Sequence, residues 1–489
     1  MVEFTLQEIA SAVGGRIINI SDKPNDAIHV RGVCTDSRSV QSENLFVALI
    51  GERFDGHQFC RDVAARGVCV FIISQEDALP IHCVGILAQD TLRAYQDLAR
   101  YYRTRLGCKV IAVTGSVGKT STREMIATAL GSSRKTHVTA DNNNNEIGLP
   151  STILSAPEDT QVMVLEMGMR QRGEIRLLTT LAEPDIAVVT NIGFSHIERL
   201  GSREEILAAK MEICEGLDPD GVLIINGDDT LLTGYVSVPE NVLWGKIGEA
   251  SWNPASCRKT SSTYCVHSDH IVMSETGTSF EAVLVREDRT EYRIGIELES
   301  TGRHHIKNAM FSLLCAAFIG VDLIEVADAI KNFHPIVGRG KIIHTKHFTV
   351  VDDAYNASPE SMAAAFESIG VLAGERRKIA AIGGMLELGK FAPELHRQVG
   401  INAAEFGIDG LYVCGDYAHN VRDGALSVRP DMPVYVFENT AALVNAILRE
   451  LMPGDVILTK ASHAYGFDWV AKEIIRNDGG PAPAEKEGT

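Results

Sequence analysis

The sequence predicts an α/β protein of three domains. These are a small N-terminal α/β unit, a central P-loop-type parallel sheet with a β-rich appendage, and a C-terminal doubly wound unit. Three observations predict it. Short apolar runs rich in β-branched residues alternate with helical stretches along most of the chain. One such run, Val110 to Val113, leads directly into a Gly-rich loop and then a helix. The alternation also begins afresh after Gly338-Arg339-Gly340, a hinge-like junction. A chain of 489 residues exceeds what one core organises. The expected domains are residues 1–107, 108–334 and 335–489, with a disordered tail from about 477 (NDGGPAPAEKEGT).

Composition narrows the class. Apolar content of 45% with 22% charged residues describes an ordinary globular protein. A formal charge of −18 argues against a general nucleic-acid binder or an acidic-membrane binder, which need a basic face. The ten cysteines form no C-x-x-C pair or regular framework, and the N-terminus (MVEFTLQEIA) has acids where a signal peptide has bases. No window approaches the ~20 apolar residues of a membrane helix. A cytosolic protein with reduced thiols is expected.

Taken in order, Leu6 to Val13 reads as an amphipathic helix closed by Gly14-Gly15, and Asn44 to Leu49 and Val68 to Ile73 read as strands. Two polar loops lie in this region, Cys34-Thr35-Asp36-Ser37-Arg38 and Gly51 to His57. The plain alternative for the first is an Asx-type turn capped by Asp36. A helix from about Thr91 to Arg105 then leads to the boundary near Gly107.

The stretch Thr114 to Ser121 packs Gly115, Ser116, Val117, Gly118, Lys119, Thr120 and Ser121 into one tight loop before a helix over Arg123 to Leu130. Its glycines let backbone N–H groups turn toward an anion, and the helix N-terminus adds partial positive charge. Lys119 would reach the β/γ-phosphates of a nucleotide and Thr120 would offer its hydroxyl to Mg²⁺. The eight-residue Walker pattern wants Gly at 113, where this chain has Val, so what remains is the shorter G-x-x-G-K-T.

Two further strands, Val162 to Leu165 and Asp185 to Thr190, end on Glu166 and on the segment Asn191 to His196. Ligands of open α/β sheets sit at the carboxyl ends of strands, so Glu166 and His196 both point to a metal role beside the phosphate loop. Their plain alternatives are a solvated glutamate and a packed histidine. Asp141 to Asn145 looks like low complexity but leads into Glu146 to Pro150, so an ordered turn is expected. Arg203 to Leu217 reads as one helix with Lys210 in its middle, and 231–300 reads as the β-rich appendage. Beyond the junction, strands are expected at Phe348 to Val351, Lys378 to Ile382, Gly410 to Cys414, Val434 to Phe437 and Val456 to Thr459. Arg339 is either a salt-bridge residue or a phosphate clamp.

With these pieces in place, the chain resembles the Mur ligase family over nearly its whole length. The resemblance rests on Gly51 to His57, Thr114 to Ser121, Asn144-Asn145-Glu-Ile-Gly-Leu-Pro150, Glu166-Met-Gly168 and Ala209-Lys-Met-Glu-Ile213. It continues through Asp352-Asp353-Ala-Tyr-Asn356-Ala-Ser-Pro359, Met385-Leu-Glu-Leu-Gly389 and Lys460-Ala-Ser462. The Asp352 and Met385 stretches favour, within the family, the activity that joins D-alanyl-D-alanine to UDP-N-acetylmuramoyl-tripeptide. The resemblance implies a UDP-sugar domain, an ATPase domain and a Rossmann-like domain, acting in peptidoglycan precursor synthesis. It implies Lys119 on the phosphates, Thr120 and Glu166 on one Mg²⁺ and His196 on a second. It also implies Asn308 at adenine, Arg339 and Asn356 near the phosphates, Asp353 at the ribose, and Lys210 carried as a carbamate. Thr35 to Arg38 would meet the uridine nucleotide, and Asn144, Asn145 and Ser462 would meet substrate. A monomer is expected. Three residues depart from the family pattern: His305 for Asn, Gly384 for Asp, and His463 for Arg, the last where the incoming amine binds. The rival classes are a Mur-type ligase with another acceptor, a folylpolyglutamate-synthetase-like ligase, and a non-catalytic nucleotide switch.

Overall fold

The computed structural model describes residues 2–19, 28–235, 243–249, 263–286 and 290–479. The chain forms a nine-stranded sheet, a six-stranded sheet, a five-stranded sheet and a two-stranded ribbon.

The N-terminal part carries the two smaller sheets. Helix Leu6–Val13 begins with a reciprocal cap between Thr5 and Glu8 and ends on Gly14 at φ 60°, as the amphipathic pattern and glycine pair require. Strands Val33–Cys34, Leu45–Val47, Val70–Ile73 and Val84–Leu87 run parallel, and Arg16–Ile18 closes the edge antiparallel. In the loop Gly51 to His57, Asp55, His57 and nearby Ser74 stand in the order of a hydrolytic triad. Asp55 Oδ1 meets His57 Nδ1 at 2.6 Å, but His57 Nε2 accepts the Ser74 backbone N–H at 2.9 Å. The imidazole therefore has no lone pair left to take a hydroxyl proton, and this buried histidine is a structural pin.

The central sheet runs in space from Thr136–Val138 through Val162–Glu166, Lys109–Thr114, Ile186–Val189 and Val222–Asn226, all parallel. Leu243–Glu249 and Thr263–Ser274 extend it in parallel, and Gly277–Val285 and Glu291–Leu298 finish it antiparallel. Of 231–300, residues 236–242, 250–262 and 287–289 lie outside the described residues; in the rest the β-rich reading is met after a short helix, Thr230–Thr233, and these strands continue the central sheet as its far edge. Their alternation gives strand but carries no information about the neighbour across the ladder. The phosphate-loop helix covers Lys119–Gly131, beginning four residues earlier than the periodicity suggested. Its first turn is Thr- and Ser-rich, so apolar spacing does not mark it. The expected helix over Arg203 to Leu217 is Arg203–Met211 followed by a 3₁₀ turn, Glu212–Glu215, so Lys210 lies in the last turn.

The C-terminal sheet holds the five expected strands in parallel, with Lys341–His344 added antiparallel at one edge. Helix Phe467–Asn477 is the last described helix, and Asp478 is held by His347 and Thr345, so the first residues of the expected tail are ordered. The rest of that tail, 480–489, lies outside the described residues. One core cluster runs continuously from Phe4 through Val110 and Leu165 to Ile382 and Leu458, joining all three regions. No helix among the described residues is long and apolar enough to cross a membrane.

Candidate active site

Strand Lys109–Thr114 lies in the central sheet between Val162–Glu166 and Ile186–Val189. The three carboxyl ends therefore converge, and the loop that follows Thr114 is held between the other two. Gly115 sits at φ 148°, and a Cβ there would stand 1.9 Å from Thr190 Oγ1, so only glycine fits. The amides of Ser116 and Val117 donate to Asn191 O and Oδ1, both at 3.0 Å, and Thr190 Oγ1 donates to Val117 O at 2.6 Å. Those two N–H groups are thus spent on the neighbouring strand. The anion pole is formed by residues 118–121, ahead of the helical bond from Thr122 N to Gly118 O at 2.9 Å.

The charged groups are stacked around this pole. Lys119 Nζ donates to Gly115 O at 2.8 Å, and Lys210 Nζ reaches the same oxygen at 2.9 Å. Burial pushes both ammonium groups below their usual range, Lys210 far below, and Lys119 beside it adds to the shift of Lys210. Glu166 is buried and accepts from Thr120 Oγ1 at 2.9 Å, Asn144 Nδ2 at 2.8 Å and Arg123 Nη1 at 3.3 Å. Arg339 arrives from the interdomain junction and donates to Thr120 Oγ1 at 3.3 Å, with its guanidinium 3.8 Å over the Tyr355 ring. Its Nε is buried without a partner.

The cavity that this pole opens into has a volume of about 270 Å³ and lies between the central and C-terminal sheets. One wall is helix Arg303–Ile319, which brings His304 and Asn308; the other is helix Pro359–Ala373, which brings Ala365 and Ile369. Asn308 Oδ1 is used by Thr122 Oγ1 at 2.9 Å, while its buried Nδ2 has no partner. Asp353 Oδ2 accepts from buried Lys460 Nζ at 2.6 Å, and the same ammonium donates to Asn356 O at 3.0 Å. Apolar lining with one spare amide donor suits a purine, and the cationic pole suits its phosphates.

The oxygen pair Thr120 and Glu166 is the donor set that suits a hard cation. Among the described residues there is no cluster of three or more His, Cys, Asp or Glu side chains. A cation that keeps its waters and leans on phosphates needs no such cluster.

The sequence-expected residues divide as follows. Gly118 to Ser121, Asn144, Glu166, Asn308, Arg339, Asp353 and Asn356 all line the cavity with Ser116 and Val117, while Gly115 braces it from behind. Lys210 is buried just behind the loop. His196 does not line the cavity; its Nδ1 is paired with Glu387 of the C-terminal region. Asn145 caps a turn, accepting from Gly148 N at 2.8 Å, and Ser462 Oγ accepts from Leu386 N at 3.0 Å. Thr35 to Arg38 lie apart from the cavity, beyond strand Val33–Cys34. There Asp36 Oδ1 accepts from Arg38 N at 2.9 Å, and the Arg38 side chain holds the Asp36 carboxyl down at about 2. The Asx turn is therefore formed, with Arg38 itself exposed.

Three contributors were not singled out from the sequence: Arg123, Lys460 and Tyr355. Each is buried or stacked at the site; for Arg123 and Lys460 the available signal was a basic residue in an otherwise apolar helix or strand, and Tyr355 offered none. The three departures also resolve. A Cβ on Gly384 would lie 2.4 Å from Tyr465 Oη, so the glycine makes room for the phenol. His463 rests against Tyr355 at 5.7 Å between ring centroids. His305 is buried behind His304, and burial holds its imidazole well below the usual value.

Comparison with known proteins agrees with this geometry. The Mur ligase middle domain matches residues 113–316, the glutamate ligase domain of Mur ligases 338–463, and the Mur ligase family catalytic domain 29–110. The UDP-N-acetylmuramoyl-tripeptide–D-alanyl-D-alanine ligase of Bacillus subtilis is 37% identical over 98% of this chain and 99% of its own length. The Escherichia coli protein of the same name is 30% identical over 98% and 99%. A crystal structure of MurF from Acinetobacter baumannii superposes with TM-score 0.85 at 26% identity, covering 97% of this chain and 99% of the other. MurF from Thermotoga maritima in complex with ADP superposes with TM-score 0.75 at 26% identity, covering 92% and 99%. The chain belongs to the Mur ligase family.

Proposed function

We infer that this chain is an ATP-dependent amide ligase that joins D-alanyl-D-alanine to the terminal carboxylate of UDP-N-acetylmuramoyl-tripeptide, as its relatives' names describe. One observation carries the reading. Lys119, Arg339 and the Thr120–Glu166 pair meet in one cavity that also carries the spare Asn308 amide.

A carboxylate does not acylate an amine at neutral pH because it lacks a leaving group, and ATP supplies one. An oxygen of the tripeptide carboxylate bonds to the γ-phosphorus as the β–γ bridging P–O bond breaks, giving an acyl phosphate and ADP. The free amine of the dipeptide then adds to the acyl carbon, loses a proton, and the C–O bond to phosphate breaks. The first step brings two anions together. Lys119, Arg339 and the helix amides of residues 118–121 offset that repulsion and stabilise charge on the transferring group. Asn308 would read the adenine edge, and Asp353, oriented by Lys460, the ribose. Thr120 and Glu166 would hold Mg²⁺, which supplies charge neutralisation at the phosphates when bound, and His196 would serve a second ion. The C-terminal wall keeps water from the acyl phosphate.

Lys210 is the unusual member. It is 2% exposed, its amine is pushed toward the neutral form, and it shares a carbonyl with a second lysine. A neutral amine adds CO₂ and releases one proton, and the resulting carbamate would place a second anion, beside Glu166, next to Lys119. Thr35 to Arg38 would take the uridine nucleotide on the N-terminal domain. The reading extends to a cytosolic monomer with domains at 1–107, 108–334 and 335–489.

The acyl-phosphate route is tested with substrate carrying ¹⁸O in the terminal carboxylate. One ¹⁸O per turnover appears in inorganic phosphate; phosphate without label overturns the route.

A further inference from the structure

The stretch Met385 to Gly389 carries the family resemblance, yet nothing above gives it a task. It leaves the C-terminal sheet after strand Lys378–Ile382 and is pinned from its own side. Met385 N donates to buried His396 Nε2 at 2.9 Å, and Leu386 N donates to Ser462 Oγ at 3.0 Å. On the other side it is docked on the central domain. Glu198 N donates to Glu387 O at 3.1 Å, and a Cβ on Gly389 would stand 3.0 Å from Glu198 Cγ. Between these anchors the Glu387 carboxylate is presented to His196 Nδ1.

Both partners of this contact are strained. His196 sits at φ 64° and Glu387 at φ 62°, left-handed conformations that residues with a Cβ seldom adopt. Such backbone persists where surrounding structure over-determines it, and it gathers at sites with a task. Here two such residues, from different domains, meet each other. His196 Nδ1 is buried without a hydrogen bond of normal geometry, and the Glu387 carboxylate stands against it as the nearest acceptor; an ionised carboxylate only accepts, so in the neutral ring it favours the proton on Nδ1 and leaves the lone pair on Nε2. His196 follows directly on Ser195, whose Oγ donates to Ser116 O at 3.3 Å in the phosphate loop.

We propose that Glu387 is a positioning residue for His196: the carboxylate, carried in by the C-terminal domain, fixes the imidazole in the Nδ1–H tautomer and so readies Nε2 as a ligand only when the two domains are docked. The task of Nε2 rests on the reading of His196 as a second-cation ligand. A carboxylate behind the imidazole is the usual companion of a cation-binding histidine. The arrangement makes the cation site complete in the docked form and incomplete in the open one, which couples domain closure to readiness for phosphoryl transfer.

Two measurements on the full chain separate the inference from the reading beneath it. The first is the ¹⁵N spectrum of ring-labelled histidine with ADP bound, with His196 assigned by its loss in His196→Ala. Wild type shows the Nδ1–H tautomer, Glu387→Ala shows averaging of both nitrogens, and Glu387→Gln lies between them. Identical His196 shifts in wild type and Glu387→Ala overturn the proposal. The second is Mn²⁺ binding with ADP, followed by electron paramagnetic resonance. His196→Ala and Glu387→Ala each weaken the same one of two Mn²⁺ ions by roughly 10- to 100-fold. Loss in His196→Ala with wild-type binding in Glu387→Ala also overturns the proposal. Unchanged Mn²⁺ binding in His196→Ala, alongside the tautomer shift in Glu387→Ala, removes only the cation reading and leaves the positioning contact established.

Discussion

Lys119 and Lys210 donate to one and the same oxygen, the carbonyl of Gly115, at 2.8 and 2.9 Å. Two ammonium groups cannot share one carbonyl at low cost inside a protein, and the cost falls on Lys210, the more deeply buried of the two. A folded-state pKa depressed below the unfolded value means that the unfolded chain binds more protons. Stability then rises with pH up to the unfolded lysine value.

That relationship gives the first prediction. Lys210→Met removes a buried base without removing its volume, so it raises the thermal midpoint at neutral pH while abolishing ligation. Lys210→Ala is inactive and regains part of its activity with a short-chain carboxylate in the buffer, and Lys210→Arg stays inactive. A functional Lys210→Arg would remove the carbamate reading.

The Tyr355 ring is the shelf on which the Arg339 guanidinium lies at 3.8 Å. A desolvated cation–π contact contributes up to ~2 kcal/mol, so Tyr355→Ala should cost on the order of tenfold in kcat/KM for ATP. Tyr355→Phe keeps the ring face and should stay near wild type. Equal loss in both variants would assign the role to the phenol hydroxyl instead.

His305 is buried and neutral, held below its ordinary 6.5 first by burial and then by His304. Because the folded value is the lower one, the stabilisation is complete above pH ~6.5 and drains away as pH falls toward the folded value. His305→Asn should therefore flatten the decline in thermal midpoint between pH 7.5 and 5.5. An unchanged slope would place the acid sensitivity elsewhere.

Arg38 decides between the two readings of its loop. If the loop is only an Asx turn, Arg38→Ala leaves the KM for the UDP-sugar substrate unchanged, and stability moves by less than ~1 kcal/mol because the pair is exposed. If the loop meets the uridine nucleotide, the same variant raises that KM by roughly tenfold, with kcat and the KM for ATP unchanged. The account expects the second result.

Much of this was legible in the sequence for a physical reason. Strand, loop and helix at 109–131 are set by local pattern, and the rule that ligands gather at strand carboxyl ends brought Glu166 to the loop. What escaped depends on neighbours far along the chain. Nothing local says that the amides of Ser116 and Val117 are spent on Asn191, or that strands after 243 join the central sheet. Nor could the sequence show that the partner of His196 is Glu387, which comes from another domain. Lys460 was quoted for its resemblance alone, and only its 2.6 Å bond to Asp353 reveals its work.

The central claim is that one cavity couples ATP cleavage to amide formation between two specific substrates. The most direct measurement is phosphate release from ATP by the purified chain, with product mass recorded in parallel. Release should require UDP-N-acetylmuramoyl-tripeptide and D-alanyl-D-alanine together, yield one amide per phosphate, and fall at least ~100-fold in Lys119→Ala with its fold intact. Phosphate release that proceeds at full rate without the dipeptide, or without formation of the amide, would contradict the account.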